Sequence, residues 1–493
     1  DVPFLAETQV GVAMKHVNDS LPEIQQRRAD VSSAMGAVLD RSTAKHPDNP
    51  ILTKDRPWEG CSAENYHIIN PSVIYDEEVG IWKMWYGSYG GLEGGSKGSV
   101  APGLENVGCY TMYATSEDGI RWEKPELGIV EFQGNTRNNI IFFKEGVTYC
   151  YLSPPSIKDP HDAEPGRWRY KTTVKTKPEM TVAVSQDGIH WEILDTFERI
   201  GDESCGALYD RENQVYISLT RNLYRRPAYG GQGASKRNIL PYFRTHRTIQ
   251  MALSKDMLHW SHPRLLLFPD SDDLPDVEFK SLSPFRYEDM WIATLGAHRE
   301  THVPTGDDSN NQLAYSRDFL HWHRLSGRKT FMPPGPDGTW EDINNQSFNF
   351  IVRDDKIYIY YGGNGWRDPY TCHSIGLATL RLDGFVSMET PAPVKKMNAP
   401  AREGTLLTKS LWSTGNRLVI NAETKETITA ELTDPDGRVL PGFGQADCEP
   451  IAGDSVRHTL SWKGREDIGG LFPLRIRFRM RDARLYSLQI VED

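Results

Sequence analysis

Several features that would narrow the function are missing from this chain of 493 residues. It contains six widely scattered cysteines and no Cys-x-x-Cys pair, so a metal or redox motif of that type is excluded and a disulfide framework is not favoured. No apolar run approaches the ~18 residues that a membrane-spanning helix needs. The net charge is −11 and no long basic run occurs, which argues against nucleic acid as a partner.

The composition is typical of a globular protein and is rich in aromatic residues, with 13 Trp and 21 Tyr. Aromatic side chains pack β-sheets and also form platforms for sugar rings, so their number alone does not separate these uses. The chain begins at Asp1 rather than Met. We therefore expect a secreted or periplasmic protein whose signal peptide has been removed, although a trimmed chain would begin in the same way.

A short phrase, Ser-x-Asp-x-x-x-Trp, returns along the chain and is its most informative feature. Four clear copies and a weaker fifth one, whose Asp residues lie 62 to 69 residues apart, occur at Ser116–Trp122, Ser185–Trp191, Ser254–Trp260, Ser316–Trp322 and Arg381–Phe385. A fixed period of this size predicts a repeat architecture. Ser and Asp favour a turn, and the Trp anchors the strand that follows it.

A second feature keeps the same period, because a hairpin of two apolar strands precedes every copy. The five hairpins are at Ser72–Tyr86, Ser156–Val174, Gly206–Leu219, Ser283–Leu295 and Phe350–Tyr361. Together with one strand before the Ser-x-Asp turn and one after it, each repeat has four strands. Four-stranded units repeated radially are propeller blades, so the sequence predicts a five-bladed β-propeller. Ordinary hairpins in an unrelated all-β fold are the alternative.

Three segments organise the chain. Residues 1–45 are predicted to form an N-terminal arm with a short helix at about Glu23–Val38. The propeller is predicted over 46–390. After two Pro-Ala-Pro-like stretches the pattern changes to short strands alternating with turns, and this predicts a β-sandwich over 400–493.

Carboxylates are predicted to gather where the first strand of each blade begins. Asp202 and Glu278 each stand eight residues before a hairpin turn. Two carboxylates that face one cavity are what glycoside hydrolysis requires. We predict Glu278 as the general acid, because neighbouring carboxylates should hold its proton, and Asp202 as the base or nucleophile, with Glu64 as a third catalytic residue. Solvated rim charge or calcium binding, above all at Asp270–Asp273, is the alternative.

A cationic group accompanies these acids. Arg244, Arg247 and His298 come from the third and fourth repeats, and arginine binds a carboxylate or sulfate through two hydrogen bonds. An anionic sugar is therefore one prediction, and a solvated loop is the other. The remaining candidates for substrate binding are Glu203, Asp276, Asp342, Gln346 and Tyr151.

The copy Ser254-Lys255-Asp256-Met257-Leu258-His259-Trp260 resembles the Ser-x-Asp-Leu-x-x-Trp turn of glycoside hydrolase families 32, 43 and 68. That resemblance implies a five-bladed propeller acting on fructosides, arabinosides, xylosides and similar glycosides, and family 32 adds a C-terminal β-sandwich. The Trp-x-Asn-Asp-Pro-Asn-Gly signature of family 32 is absent, and Glu64–Pro71 stands in its place. The resemblance is thus architectural and does not imply a fructosidase.

The predicted function is a secreted glycoside hydrolase, exo-acting on an oligo- or polysaccharide. Carbohydrate is the expected partner, no cofactor is required, and a structural calcium ion is allowed. A non-catalytic carbohydrate-binding propeller is the alternative, in which the rim acids bind hydroxyl groups or calcium.

Overall fold

The computed structural model describes residues 36–39, 43–59, 66–90, 110–143, 157–158, 169–176, 179–198, 203–227, 243–274, 277–299, 308–365, 373–390 and 403–492. Regular structure in these ranges is almost entirely β-strand. The helices there are single 3₁₀ turns at Pro57–Glu59, Ser326–Arg328 and Gln445–Asp447. None of the described helices has the length and apolar character to cross a bilayer. The predicted all-β class is confirmed.

Within the described ranges, five antiparallel sheets of four strands follow one another along the chain. Sheet I contains β3 (Tyr66–Asp76), β4 (Ile81–Gly90), β5 (Tyr110–Ser116) and β6 (Ile140–Phe143). Sheet II contains β7 (Ile157–Lys158), β8 (Tyr170–Thr176), β9 (Glu179–Ser185) and β10 (Trp191–Glu198). Sheet III contains β11 (Glu203–Asp210), β12 (Val215–Pro227), β13 (Phe243–Ser254) and β14 (Arg264–Leu267). Sheet IV contains β15 (Val277–Tyr287), β16 (Met290–Arg299), β17 (Asp308–Ser316) and β18 (His323–Arg324). Sheet V contains β19 (Asn344–Arg353), β20 (Lys356–Asn364), β21 (Ser374–Arg381) and, from the start of the chain, β2 (Ala44–Lys45).

The recurring phrase forms the turn after the third strand of sheets I to IV. In the second copy, Ser185 Oγ donates a hydrogen bond to Asp187 Oδ1 over 3.0 Å. The same oxygen accepts the backbone N–H groups of Ile189 and His190, each over 2.8 Å. Burial opposes ionisation of Asp187, but these bonds and the His190 side chain outweigh it and lower the pKa of Asp187 to about 2. The Ser-x-Asp spacing therefore specifies the turn through local bonds alone.

Gly188 of this turn also joins two sheets. Its φ is +81°, a conformation that favours glycine. Its carbonyl oxygen accepts the indole N–H of Trp85 in sheet I over 2.6 Å and that of Trp191 over 3.0 Å. A Cβ atom at this position would lie 2.6 Å from Trp85 Cζ2. The turn thus supports the contact between sheets I and II as well as the local strand connection.

Neighbouring sheets pack through buried hydrophobic clusters that contain residues of both. Representative members are Trp85 and Tyr170 for sheets I and II, Val184 and Ala207 for II and III, Leu219 and Phe279 for III and IV, Ile292 and Phe350 for IV and V, and Leu377 and Ile68 for V and I. Because sheet V packs back on sheet I, the five described sheets close into a ring, which is the arrangement of a β-propeller.

A sixth sheet is built mainly from the C-terminal part of the chain. Its strands are β1 (Gly36–Leu39), β22 (Val386–Glu389), β23 (Gly404–Leu407), β24 (Arg417–Thr433), β25 (Ile451–Thr459) and β26 (Arg475–Val491). They form one hydrogen-bonded sheet rather than the two separate sheets of the predicted sandwich. A register shift between Thr424 and Thr427 interrupts β24, and Ile420 and Ile428 on its two sides share one buried core. Such a shift bends a strand, so a single sheet encloses the core.

The predicted N-terminal helix is wrong over the part of it that the structure describes. Residues 36–38, the end of the predicted helix Glu23–Val38, belong to strand β1, which pairs antiparallel with β22; residues 23–35 lie outside the described residues. The edge of β22 that does not pair with β26 offers backbone partners to β1, and such tertiary pairing overrides a local helical pattern. β1 belongs to the sixth sheet, and β2 completes sheet V. Residues near the start of the chain are therefore part of both the sixth sheet and the ring.

The weak fifth copy of the phrase connects the ring to the sixth sheet. Asp383 Oδ1 accepts the hydroxyl of Tyr287 from sheet IV over 2.5 Å, and Asp383 Oδ2 accepts the hydroxyl of Ser487 from β26 over 2.6 Å. Asn421 of β24 donates to the carbonyl of Leu382 over 2.7 Å. All of the bonding groups except the Leu382 carbonyl belong to buried side chains. Here the aspartate therefore bonds distant elements instead of its own turn.

Candidate active site

The first strands of the sheets begin at one end of the ring, which we call the mouth. It is marked by the first residues of β3, β11, β15 and β19, which are Tyr66, Glu203, Val277 and Asn344. Side-chain hydrogen bonds close to these positions join sheets III and IV, IV and V, and V and I, namely Arg247–Glu278, Asn311–Asn345 and Ser347–Asn70. Residues from successive sheets therefore meet at the mouth.

Glu278 is a carboxylate held rigidly at this mouth. It is the second residue of β15 and is 3% exposed. Arg247 Nη1 donates to Glu278 Oε1 over 2.8 Å, and the backbone N–H of Arg247 donates to Glu278 Oε2 over 3.1 Å. A buried charge is stable only when it is paired and hydrogen-bonded. Since one residue donates to both oxygens, the orientation of the carboxylate is fixed.

His298 completes this cluster. It lies directly opposite Glu278 in the β15–β16 register and is 1% exposed. Its Nε2 is 3.6 Å from Glu278 Oε1, which is beyond hydrogen-bond distance. Three residues that the sequence singled out, Glu278, Arg247 and His298, are thus brought together from sheets III and IV.

The contacts of Glu278 bear on its predicted role. The general-acid prediction assumed that neighbouring carboxylates hold a proton on Glu278, whereas the groups observed beside it are a guanidinium and an imidazole. A carboxylate that accepts bonds from arginine is suited to accept a proton, attack a carbon or stabilise positive charge; a general acid must instead hold a proton to donate. Arg247, predicted to bind an anionic sugar, is committed to Glu278.

β-Bulges interrupt the first strands β11 and β15, whereas Asp202 lies outside the described residues, so its shared register with Glu278 stays a prediction. The shift in β11 follows Ser204, and the shift in β15 follows Phe279. Counted from these shifts, Glu203 occupies in β11 the position that Glu278 occupies in β15. Each bulge adds one residue to its first strand, because two residues of β11 face one of β12 and one residue of β15 faces none of β16.

The other predicted residues are distributed around the mouth. Glu203 lies opposite Arg221 in the β11–β12 register. Arg244 lies in the part of β13 that pairs with β12 beyond the start of β11. Asp342 Oδ2 accepts the backbone N–H of Gly338 over 2.8 Å. Four further predictions lie outside the described residues, namely the catalytic candidates Asp202 and Glu64 and the binding candidates Asp276 and Tyr151.

Sequence reasoning missed most of an amide cluster at the start of sheet V, where only Gln346 was a candidate. Asn364 Nδ2 donates to Asn344 Oδ1 over 2.5 Å, and His373 Nδ1 lies 2.7 Å from Asn364 Oδ1. Asn344 is 1% exposed and Asn364 is 7% exposed. The available signal was the run Asn344-Asn345-Gln346, three amides directly at the start of a first strand.

The calcium alternative at Asp270–Asp273 finds no support in the contacts of these acids. Arg324 Nη1 is 2.6 Å from Asp273 Oδ2, and Arg328 Nη2 is 2.5 Å from Asp270 Oδ1. Burial opposes ionisation of Asp273, but the bonds from Arg324 and from the Asp270 backbone outweigh it and lower its pKa. These acids therefore neutralise arginines. Within the described ranges, no group of three or more His, Cys, Asp or Glu side chains could hold a metal ion.

No family model matches the chain, and no curated protein matches it. Among solved structures, it is similar to a glycoside hydrolase at 14% identity and a TM-score of 0.44, over 73% of this chain and 95% of the other. A GH32 β-fructofuranosidase of Bombyx mori is similar at 13% identity and a TM-score of 0.36, over 87% and 93%. An α-L-arabinanase of Penicillium chrysogenum, complexed with arabinobiose, is similar at 10% identity and a TM-score of 0.38, over 70% and 99%. At these scores the similarities carry no argument about this chain.

Proposed function

We propose that this protein is a glycoside hydrolase whose active site is the mouth of the ring. The observation that supports the proposal is Glu278, a carboxylate fixed by Arg247 where strands of successive sheets meet. Hydrolysis of a glycoside needs one group that protonates the leaving oxygen and a carboxylate that activates water or attacks the anomeric carbon. Glu203, in the matching position of β11, is the proposed second carboxylate, and Asp202 and Glu64 remain sequence predictions for the same role.

In this mechanism Glu278 is the base or the nucleophile. A carboxylate has about four lone-pair positions, so the two bonds from Arg247 leave others for a water molecule or the anomeric carbon. The bonds from Arg247 fix the direction of the remaining lone pairs, which is the positioning that a reaction at one carbon requires. The proton donor then comes from the neighbouring first strand, at Glu203 or Asp202.

The test is Glu278→Gln on two substrates that differ in leaving group. Turnover should fall by about a hundredfold or more on both an alkyl glycoside and a 2,4-dinitrophenyl glycoside. If Glu278 were the general acid, the dinitrophenyl substrate would still be cleaved, because its leaving group needs no proton. Glu203→Gln and Asp202→Asn should show that second pattern for whichever residue donates the proton.

A matched control separates catalysis from loss of folding. Glu431 is 7% exposed and pairs with Arg477 in the sixth sheet. Glu431→Gln therefore removes a comparable buried charge far along the chain from the mouth and should leave turnover unchanged. Full activity of Glu278→Gln on both substrates would exclude Glu278 from the chemistry.

The burial of Glu278 also favours a second candidate function. A carboxylate with both oxygens bonded and 3% exposure is what a purely structural link between two sheets would show. The chain would then be a non-catalytic carbohydrate-binding propeller. Binding of one sugar by wild type and Glu278→Gln alike, with no turnover of any glycoside, would establish this function. Exo-action and secretion are further proposals; release of only monosaccharide from an oligosaccharide tests the first.

A further inference from the structure

The amide cluster of sheet V has a defined face. Asn344 and Gln346 are two residues apart on β19, so they lie on the same face of the strand. Asn364 lies opposite Asn344 in the β19–β20 register. Asn364 also contacts His373, whose carbonyl oxygen accepts the backbone N–H of Ile68 from sheet I over 3.2 Å. The cluster therefore lies at the mouth, where sheets V and I adjoin.

The cluster has unused hydrogen-bonding capacity. Asn344 Nδ2 is buried and has no hydrogen-bond partner, although Asn344 Oδ1 accepts from Asn364. Gln346 is partly exposed, and its amide bonds to none of the described residues. Gly362, opposite Gln346 in the register, has no side chain to fill the space beside it. An unpaired polar group in a folded protein is unfavourable unless a ligand or water satisfies it.

The described charges at the mouth disfavour an anionic ligand. The guanidinium of Arg247 is neutralised by Glu278. Lys45, which lies near the loop before β19, pairs with Glu341 over 2.9 Å. Asp342, two residues before Asn344 in the chain, adds a carboxylate that accepts the backbone N–H of Gly338. A sugar carboxylate or sulfate that approached Glu278, Glu341 or Asp342 would meet a like charge, and like charges repel.

We propose that Asn344, Gln346 and Asn364 form a subsite that binds the hydroxyl groups of an uncharged sugar ring. The proposal rests on the proposed function, because it places the sugar of that reaction. An amide both donates and accepts hydrogen bonds, as a hydroxyl group does, so neutral amides match a polyol without a charged partner. The uncharged sugar of this proposal replaces the anionic sugar that the arginines in the sequence suggested.

The experiment combines Gln346→Met, which keeps the size of the side chain and removes its polar atoms, with calorimetry and steady-state kinetics. The probes are neutral p-nitrophenyl pentosides and hexosides and the uronides of the same hexoses. Wild type should bind at least one neutral glycoside more tightly than its uronide. Gln346→Met should raise Kd and KM for that glycoside about tenfold, the effect of one lost hydrogen bond, with kcat nearly unchanged. Gln445→Met is the matched control and should change neither constant, because Gln445 is a partly buried glutamine of the 3₁₀ turn Gln445–Asp447 that bonds Thr429 of β24.

The outcomes separate this subsite from the hydrolase proposal. Hydrolysis that depends on Glu278 but is unchanged in Gln346→Met refutes the subsite and leaves the hydrolase standing. Neutral-sugar binding that is weakened by Gln346→Met, without cleavage of any glycoside, supports the subsite and refutes the hydrolase. Tighter binding of a uronide, or no binding of any neutral probe, refutes the subsite. Asn344→Leu adds a second variant, but its position is buried, so Gln346→Met decides the question.

Discussion

Removal of Arg247 should cost more stability than removal of an ordinary surface arginine. The side chains of Arg247 and Glu278 are 7% and 4% exposed. Arg247→Met keeps most of the buried stem and leaves the Glu278 carboxylate without its guanidinium. Breaking a buried pair in this way costs about 3–5 kcal/mol. In the pair Arg457–Asp355 the side chains are 58% and 45% exposed, so Arg457→Met should cost no more than about 1 kcal/mol.

Urea unfolding of a double-mutant cycle measures this difference. The variants are Arg247→Met, Glu278→Gln and the double substitution. The double variant should be more stable than Arg247→Met alone, because a glutamine leaves no uncompensated buried charge. A loss below about 1 kcal/mol for Arg247→Met, or a double variant whose loss equals the sum of the single losses, would refute the reasoning. It would mean that the pair is solvated and that the carboxylate is not fixed by Arg247.

Three further predictions concern the turns and the contact with the sixth sheet. The native pKa of Asp187 is about 2, below its ordinary value of 3.8, so its stabilising effect is present above about pH 4 and is lost as the pH falls towards 2. Asp187→Asn should therefore lower the urea midpoint at pH 6 and much less at pH 2.5; an equal effect at both would contradict this. Gly188→Ala should cost roughly 2–5 kcal/mol, since its Cβ would lie 2.6 Å from Trp85 at a φ of +81°. Gly134→Ala, at a φ of +77° with nothing within 4 Å, should cost only the ~1–2 kcal/mol of backbone strain. Equal losses of stability for the two variants would show that a Cβ atom at residue 188 does not clash with Trp85. Asp383→Leu should separate the calorimetric unfolding transition of the sixth sheet from that of the ring. A single transition at an unchanged Tm would show that the hydrogen bonds of Asp383 do not couple the two.

The repeat could be predicted from the sequence because its physical cause is local. In each of the four clear copies, an aspartate bonds the backbone N–H groups two and three residues later, as Asp118 does over 2.8 Å to both. A bond between residues so close in sequence needs no tertiary partner. Its residues therefore recur wherever the turn recurs, and the hairpins recur with them.

The details of the mouth could not be predicted, since they depend on contacts between sheets. Arg247 and Glu278 are 31 residues apart and belong to different repeats. The sequence placed both residues near the mouth but paired Glu278 with other carboxylates and assigned Arg247 to a ligand. Asp202 lies outside the described residues, so its register stays a prediction. The position of the bulge in each first strand depends on pairing with the next strand, and no periodicity of the sequence reveals it.

The fifth copy of the phrase shows how a departure from a repeat carries information. Asp383 keeps the aspartate of the phrase, but neither the serine nor the tryptophan of the other copies is present around it. Its two carboxylate oxygens accept hydroxyl groups from Tyr287 and Ser487, residues about a hundred positions away on either side. An oxygen engaged by a distant hydroxyl is less available to the backbone of its own turn, so the local residues that shape the turn are no longer required. In a repeat protein, a copy that keeps one residue and loses its local partners therefore indicates where another part of the chain docks.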